Sequence, residues 1–176
     1  MSHRLDRSAT RSWSAAAACL ALIALAGCAR TPAPAAPPAL IGAWRASVQF
    51  GSGAYAEIKD LQFLYVFNGG GTMTESSNYD GLPPVPPAYG EWRASGADRF
   101  EAKYTFFTTQ PPADVKSLAT GGGWRPAGYG VLTEKIQLAA DGKSYDSTIS
   151  LELFDPAGKP VAGGAEAKAH ATRAGF

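Results

Sequence analysis

From Leu40 onward the chain repeats one pattern: short runs in which apolar and polar residues alternate, each ended by a turn of glycine, proline, asparagine or aspartate. Only a β-strand places every second side chain on the same face, so this period of two fixes the local structure before any other signal is weighed. In the first run Trp44, Ala46, Val48 and Phe50 alternate with Ala43, Arg45, Ser47 and Gln49. The second puts Leu61, Phe63, Tyr65 and Phe67 on one face and turns at Asn68-Gly69-Gly70-Gly71 into a short strand around Met73. A fourth holds Gly90 and Trp92, and a fifth directs Phe100, Ala102, Tyr104 and Phe106 inward. After a loop ending near Gly123, a sixth run to about Ala139 carries Leu132, Glu134, Ile136 and Leu138. The seventh follows an Asp141-Gly142 turn, with Tyr145, Ser147, Ile149, Leu151 and Leu153 inward. The eighth follows Asp155-Pro156-Ala157-Gly158 and lines up Ala165, Ala167, Ala169, Ala171 and Arg173.

Eight such runs joined mostly by hairpin-length connections predict an all-β domain over residues 40–176, an eight-stranded antiparallel up-and-down barrel. Closure buries the single apolar face and removes the exposed edges that recruit other chains. A two-sheet sandwich is the competing architecture. The alanine stripe of the last strand, opposite the aromatics of the second and fifth, is compatible with a cavity for one small ligand or with a flattened, solid barrel.

The N-terminus obeys a different rule. Residues 1–12 carry Arg4, Arg7 and Arg11, and Trp13 to Ala26 are almost free of polar side chains before Leu25-Ala26-Gly27-Cys28. A basic start, a short apolar run and small residues at a cleavage point are the parts of a secretory signal, and the run is shorter than the roughly 20 residues of a spanning helix. Residues 25–28 resemble the lipobox of bacterial lipoproteins at every position. That resemblance implies a signal peptide over 1–27, a diacylglycerol thioether on Cys28, cleavage before it and acylation of the new N-terminus. Several acyl chains, at about 0.8 kcal/mol per buried CH₂, form a firm membrane anchor without a spanning segment. By analogy with lipoprotein sorting in Gram-negative bacteria, Ala29 after the cysteine implies the outer membrane, facing the periplasm. Residues 28–39 then read as the lipidated cysteine and a Pro/Ala-rich tether of polyproline II character.

The barrel region resembles the calycins, the lipocalin-like group of barrels, through Gly42-Ala43-Trp44 in the first strand and Arg173 in the last. The resemblance implies that Arg173 stacks on Trp44 and closes one end of the barrel by a cation–π contact. No Thr-Asp-Tyr segment and no C-terminal helix pattern accompany those residues, which places the chain outside the core lipocalin family.

Charge and residue inventory exclude several chemistries. Removing Arg4, Arg7, Arg11 and Asp6 from 16 basic and 15 acidic residues leaves 13 and 14, a balance without the basic stripe of a nucleic-acid binder. Cys19 and Cys28 both lie at or before the cleavage point, so the barrel expects no disulfide. Its single histidine, His170, alternates outward, so neither zinc-ligand spacing nor a Cys-His or Ser-His-Asp machine can be assembled, and no metal or cofactor is expected. Gly69-Gly70-Gly71 and Gly121-Gly122-Gly123 lack the Lys-Ser/Thr of a phosphate loop and read as turns; Leu82-Pro83-Pro84-Val85-Pro86-Pro87 reads as a stiff loop.

Glu134 is the one charge that alternation turns inward. A buried carboxylate must be protonated, paired with a cation such as Arg173, or wetted. The function expected first is therefore a monomeric, lipid-anchored envelope protein whose barrel binds a small apolar or amphipathic molecule. Its candidate ligand-binding residues are Trp44, Phe63, Tyr65, Tyr104, Phe106, Glu134, Tyr145 and Arg173. Two alternatives stand beside it. One is a solid barrel whose loops, including 79–89 and 110–127, contact an envelope partner. The other is a cofactor-free isomerase or cyclase with Glu134 as acid or base.

Overall fold

The computed structural model describes residues 39–79, 87–112, 114, 116 and 123–175. The lipobox with Cys28, the tether up to residue 38, most of the proline run at 82–87 and Gly121-Gly122 lie outside the described residues. Within the compact unit Pro37–Phe176 the chain forms eight strands. They are β1 (Gly42–Phe50), β2 (Gln62–Phe67), β3 (Thr72–Ser77), β4 (Ala88–Ala94), β5 (Arg99–Gln110), β6 (Arg125–Leu138), β7 (Ser144–Phe154) and β8 (Pro160–Arg173). Each pairs antiparallel with its neighbour in sequence, and β8 returns to β1, giving a closed up-and-down barrel. The sandwich alternative is thereby excluded.

The alternation that defines the strands also fills the barrel. On β1 Trp44, Ala46, Val48 and Phe50 are buried while Ala43, Arg45, Ser47 and Gln49 are exposed, and β2 buries Phe63, Tyr65 and Phe67 in the same way. On β8 Ala165, Ala167, Ala169 and Ala171 point inward, and small side chains there leave room for the rings that cross from the opposite wall. Glycines permit the tightest approaches. A Cβ at Gly90 would collide with the backbone of Lys103 and Tyr104, so only glycine lets β4 lie this close to β5.

The seam between β1 and β8 forms the end cap. Register sets Trp44 opposite Arg173, and the guanidinium carbon lies 4.4 Å from the centre of the indole. Trp44 Nε1 donates to the Leu40 carbonyl at 2.8 Å, while Arg173 donates to the carbonyls of Gly142 (2.7 Å), Ile41 (3.0 Å) and Ala39. Gly42 adopts a φ of +130°, and a Cβ there would stand 2.9 Å from Arg173 Nη1, which is the physical reason for glycine two residues before the tryptophan. Phe67, Trp92, Phe100 and Tyr145 pack behind this cap, with Trp44 and Tyr145 5.0 Å apart and Trp92 Nε1 donating to the Asn68 carbonyl at 3.0 Å.

Candidate ligand pocket and the buried acid–tyrosine cluster

Away from that cap, the rings leave a pocket of about 50 Å³ at the end of the barrel where β1 finishes. Phe50 and the loop residue Tyr55 form one wall, with ring centres 5.3 Å apart, and Tyr79 stands edge-on to Tyr55 at 5.9 Å. Leu61, Phe63, Phe106, Leu132 and Leu151 supply the rest of the apolar surface. Phe106 fits because its partner across the β5–β6 ladder is Gly130: a Cβ there would clash with the phenyl ring. Polar groups come from β3, where Glu75, Ser76 and Ser77 line the same space. Glu75 is 6% exposed and its Oε1 has no hydrogen-bond partner.

Further along the axis toward Trp44, register brings polar side chains of five strands together. Tyr65 is paired with Glu75 across β2–β3, and Glu134 with Ala102 and Ile149 across β5–β6–β7. Tyr104 donates its hydroxyl to Glu134 Oε2 at 3.0 Å and shares a 3.2 Å hydrogen bond with Tyr65, so the two phenols and the carboxyl form a chain. Glu134 Oε1, Tyr145 Oη and Ser147 Oγ are buried and unpartnered. Ser147 lies near enough to favour the charged form of Glu134 electrostatically, although its hydroxyl completes no hydrogen bond there.

Burial governs the protonation of this cluster. Removal from water pushes the Glu134 carboxyl from 4.5 up to about 7, against the lowering effect of Ser147, Tyr104 and Tyr65. Glu75 rises to about 8, chiefly by desolvation and further by the charge of Glu134. The phenols of Tyr65, Tyr104 and Tyr145 are raised well above their ordinary range by burial, and then by the Glu134 carboxylate. Every described lysine, arginine and histidine is exposed, so no cationic side chain enters the interior to offset either acid. No group of histidine, cysteine and acidic residues among those described has the geometry to hold a metal ion.

The residues expected to contact a ligand therefore fall into three places. Phe63 and Phe106 line the pocket. Tyr65, Tyr104, Glu134 and Tyr145 belong to the buried cluster beyond it. Trp44 and Arg173 form the opposite cap, so the guanidinium is held by backbone carbonyls and the indole rather than by Glu134. His170 points outward, as alternation required, with Nδ1 2.8 Å from Asp146 Oδ1. Glu75 went unrecognised, although Met73 and Glu75 are two residues apart and so share a face. Tyr55 and Tyr79 reach the pocket from outside any strand, where periodicity gives no signal.

Comparison of the whole chain with protein-family models and with curated proteins finds no match.

Proposed function

We propose that this chain is a cell-envelope lipoprotein, anchored through Cys28, whose barrel binds a small amphipathic molecule by the end opposite Trp44 and Arg173. The observation that carries this reading is the pocket itself: a wall of aromatic and leucine side chains converging on one buried carboxyl with an unpartnered oxygen. Apolar surroundings with a few convergent polar groups are the usual composition of a small-molecule site. At about 50 Å³ the pocket is well below the roughly 300–1,000 Å³ of a site that encloses a whole small molecule, so it takes a ligand's head and leaves the remainder at the mouth. The calycin-like pairing of Trp44 with Arg173 fits the same reading, since it seals one end and leaves the other for access.

Two experiments test the parts separately. Native mass spectrometry of the purified protein should reveal a co-purifying small molecule that Phe63→Ala releases; a mass equal to the bare polypeptide plus its lipid in every preparation would count against the binding role. Metabolic labelling with a fatty-acid analogue should mark the wild type and leave Cys28→Ser unlabelled. Equal label in both would end the anchor.

A further inference from the structure

We propose that the molecule taken by this pocket presents an organic ammonium group, seated against Glu75 inside the ring formed by Phe50, Tyr55, Phe63, Tyr79 and Phe106. This deepens the binding reading above and rests on it. Glu75 is more than nine-tenths buried, lines the pocket and keeps one carboxyl oxygen without a partner. A protonated carboxyl can donate or accept, whereas an ionised one is an acceptor only, so a ligand that binds Glu75 in its charged form must donate. The aromatic side chains add a second preference of the same sign, because the negative faces of π-systems attract cations, ammonium groups above all.

Charge within the barrel points the same way. Among the described residues, the titratable groups facing Glu75 are Tyr65 from β2, Tyr104 from β5, Glu134 from β6, Tyr145 from β7, and Tyr55 and Tyr79 from the chain beyond β1 and β3, none of them a cation; Arg173 of β8 is held at the opposite cap. An anionic head would meet the Glu75 carboxyl, with Glu134 beyond it, and no cation among the described residues. A neutral alcohol would satisfy Glu75 Oε1 and gain nothing from the lack of internal positive charge. An ammonium supplies the missing counter-charge, and on binding it ionises Glu75, whose carboxyl otherwise holds its proton up to about pH 8; that proton passes to the buffer.

The test is calorimetric titration of the purified protein at pH 7 with three probes of equal chain length: hexylammonium, hexan-1-ol and hexanoate. Hexylammonium should bind at least tenfold more tightly than hexanol, with hexanoate weakest. Its apparent enthalpy should shift between buffers of different ionisation enthalpy as a proton is released, whereas that of hexanol should not. Glu75→Gln, which keeps the shape of the side chain, should abolish the tenfold preference and the proton release; Glu134→Gln should retain the preference. Hexanol binding as tightly as the amine, or Glu75→Gln leaving amine affinity intact, would overturn the ammonium assignment and leave the pocket standing. Absence of binding by all three would overturn the pocket as well.

Discussion

The two ends of the barrel draw on the same aromatic residues and differ in what surrounds them. At the Trp44 end both indole N–H groups donate to backbone carbonyls and the Arg173 guanidinium is held by three more, so the two indoles and the guanidinium are fixed by satisfied partners, with only the Tyr145 hydroxyl behind them unpartnered among the described groups of the cap. At the other end Phe50, Phe63 and Phe106 surround free volume, Tyr79 is 44% exposed and a carboxyl oxygen of Glu75 is unpartnered. Satisfied polar groups confer rigidity, and unsatisfied ones beside a cavity leave binding capacity. The same strands thus end in satisfied hydrogen bonds on one side and in free volume beside an unpartnered carboxyl oxygen on the other.

If that division is right, removing Trp44 has the largest effect on stability. Trp44→Ala should cost about 3–5 kcal/mol in urea unfolding, as for other fully buried aromatic deletions. A loss under about 1 kcal/mol would mean that the cap does not hold the barrel.

Stability should next depend on pH through the cluster between the two ends. Glu75 and Glu134 hold their protons in the folded state to about 8 and 7, but only to about 4.5 when unfolded. Between those limits the folded chain binds more protons than the unfolded one, so this stabilisation is whole below pH ~4.5 and declines as pH rises toward 8. The decline is on the order of a few kcal/mol, and Glu134→Gln should flatten it. Unfolding free energies that rise from pH 5 to 8 in the wild type, with the same slope in the variant, would contradict the buried-acid geometry.

Arg173→Ala should cost about 1–3 kcal/mol, the scale of its charge-assisted hydrogen bonds. A double-mutant cycle with Trp44→Ala should show coupling above ~0.5 kcal/mol, since the two side chains are in contact. Additivity would separate them. The smallest effect belongs to the pocket: Phe106→Leu should change stability by less than about 1.5 kcal/mol while weakening ligand retention, and a larger loss would make the pocket wall part of the structural core.

Much of this architecture was legible because strand periodicity survives in the residues themselves. Trp44 through Phe50, Phe63 through Phe67 and Phe100 through Phe106 alternate so regularly that their inward faces follow at once, and Glu134 was recognisable as inward by its neighbours Leu132 and Ile136. Glu75 was hidden because β3, Thr-Met-Thr-Glu-Ser-Ser, offers a single large apolar residue from which to set a phase. The pocket was legible only in part. Its strand residues follow from alternation, but Tyr55 and Tyr79 arrive by the path of the chain beyond β1 and β3, which no local pattern encodes. The fate of Arg173 was decided by distance along the barrel: it shares an inward register with Trp44 but sits at the rim, where three carbonyls from the segment before β1 and the β6–β7 turn lie within reach.

The β1–β8 seam has a further consequence, for the timing of folding. Its ladder joins Trp44 to Arg173 and Phe50 to Ala167, pairing the first strand with the last, whereas every other ladder joins neighbours in sequence. During synthesis, hairpins from β1 to β7 can form as they emerge, but one flank of β1 has no partner until β8 arrives. That long-range step carries the loop-closure entropy of non-local pairing, which in all-β domains goes with folding on the millisecond-to-second scale. Until the seam closes, the unpaired flank of β1 is the strand edge most open to wrong partners.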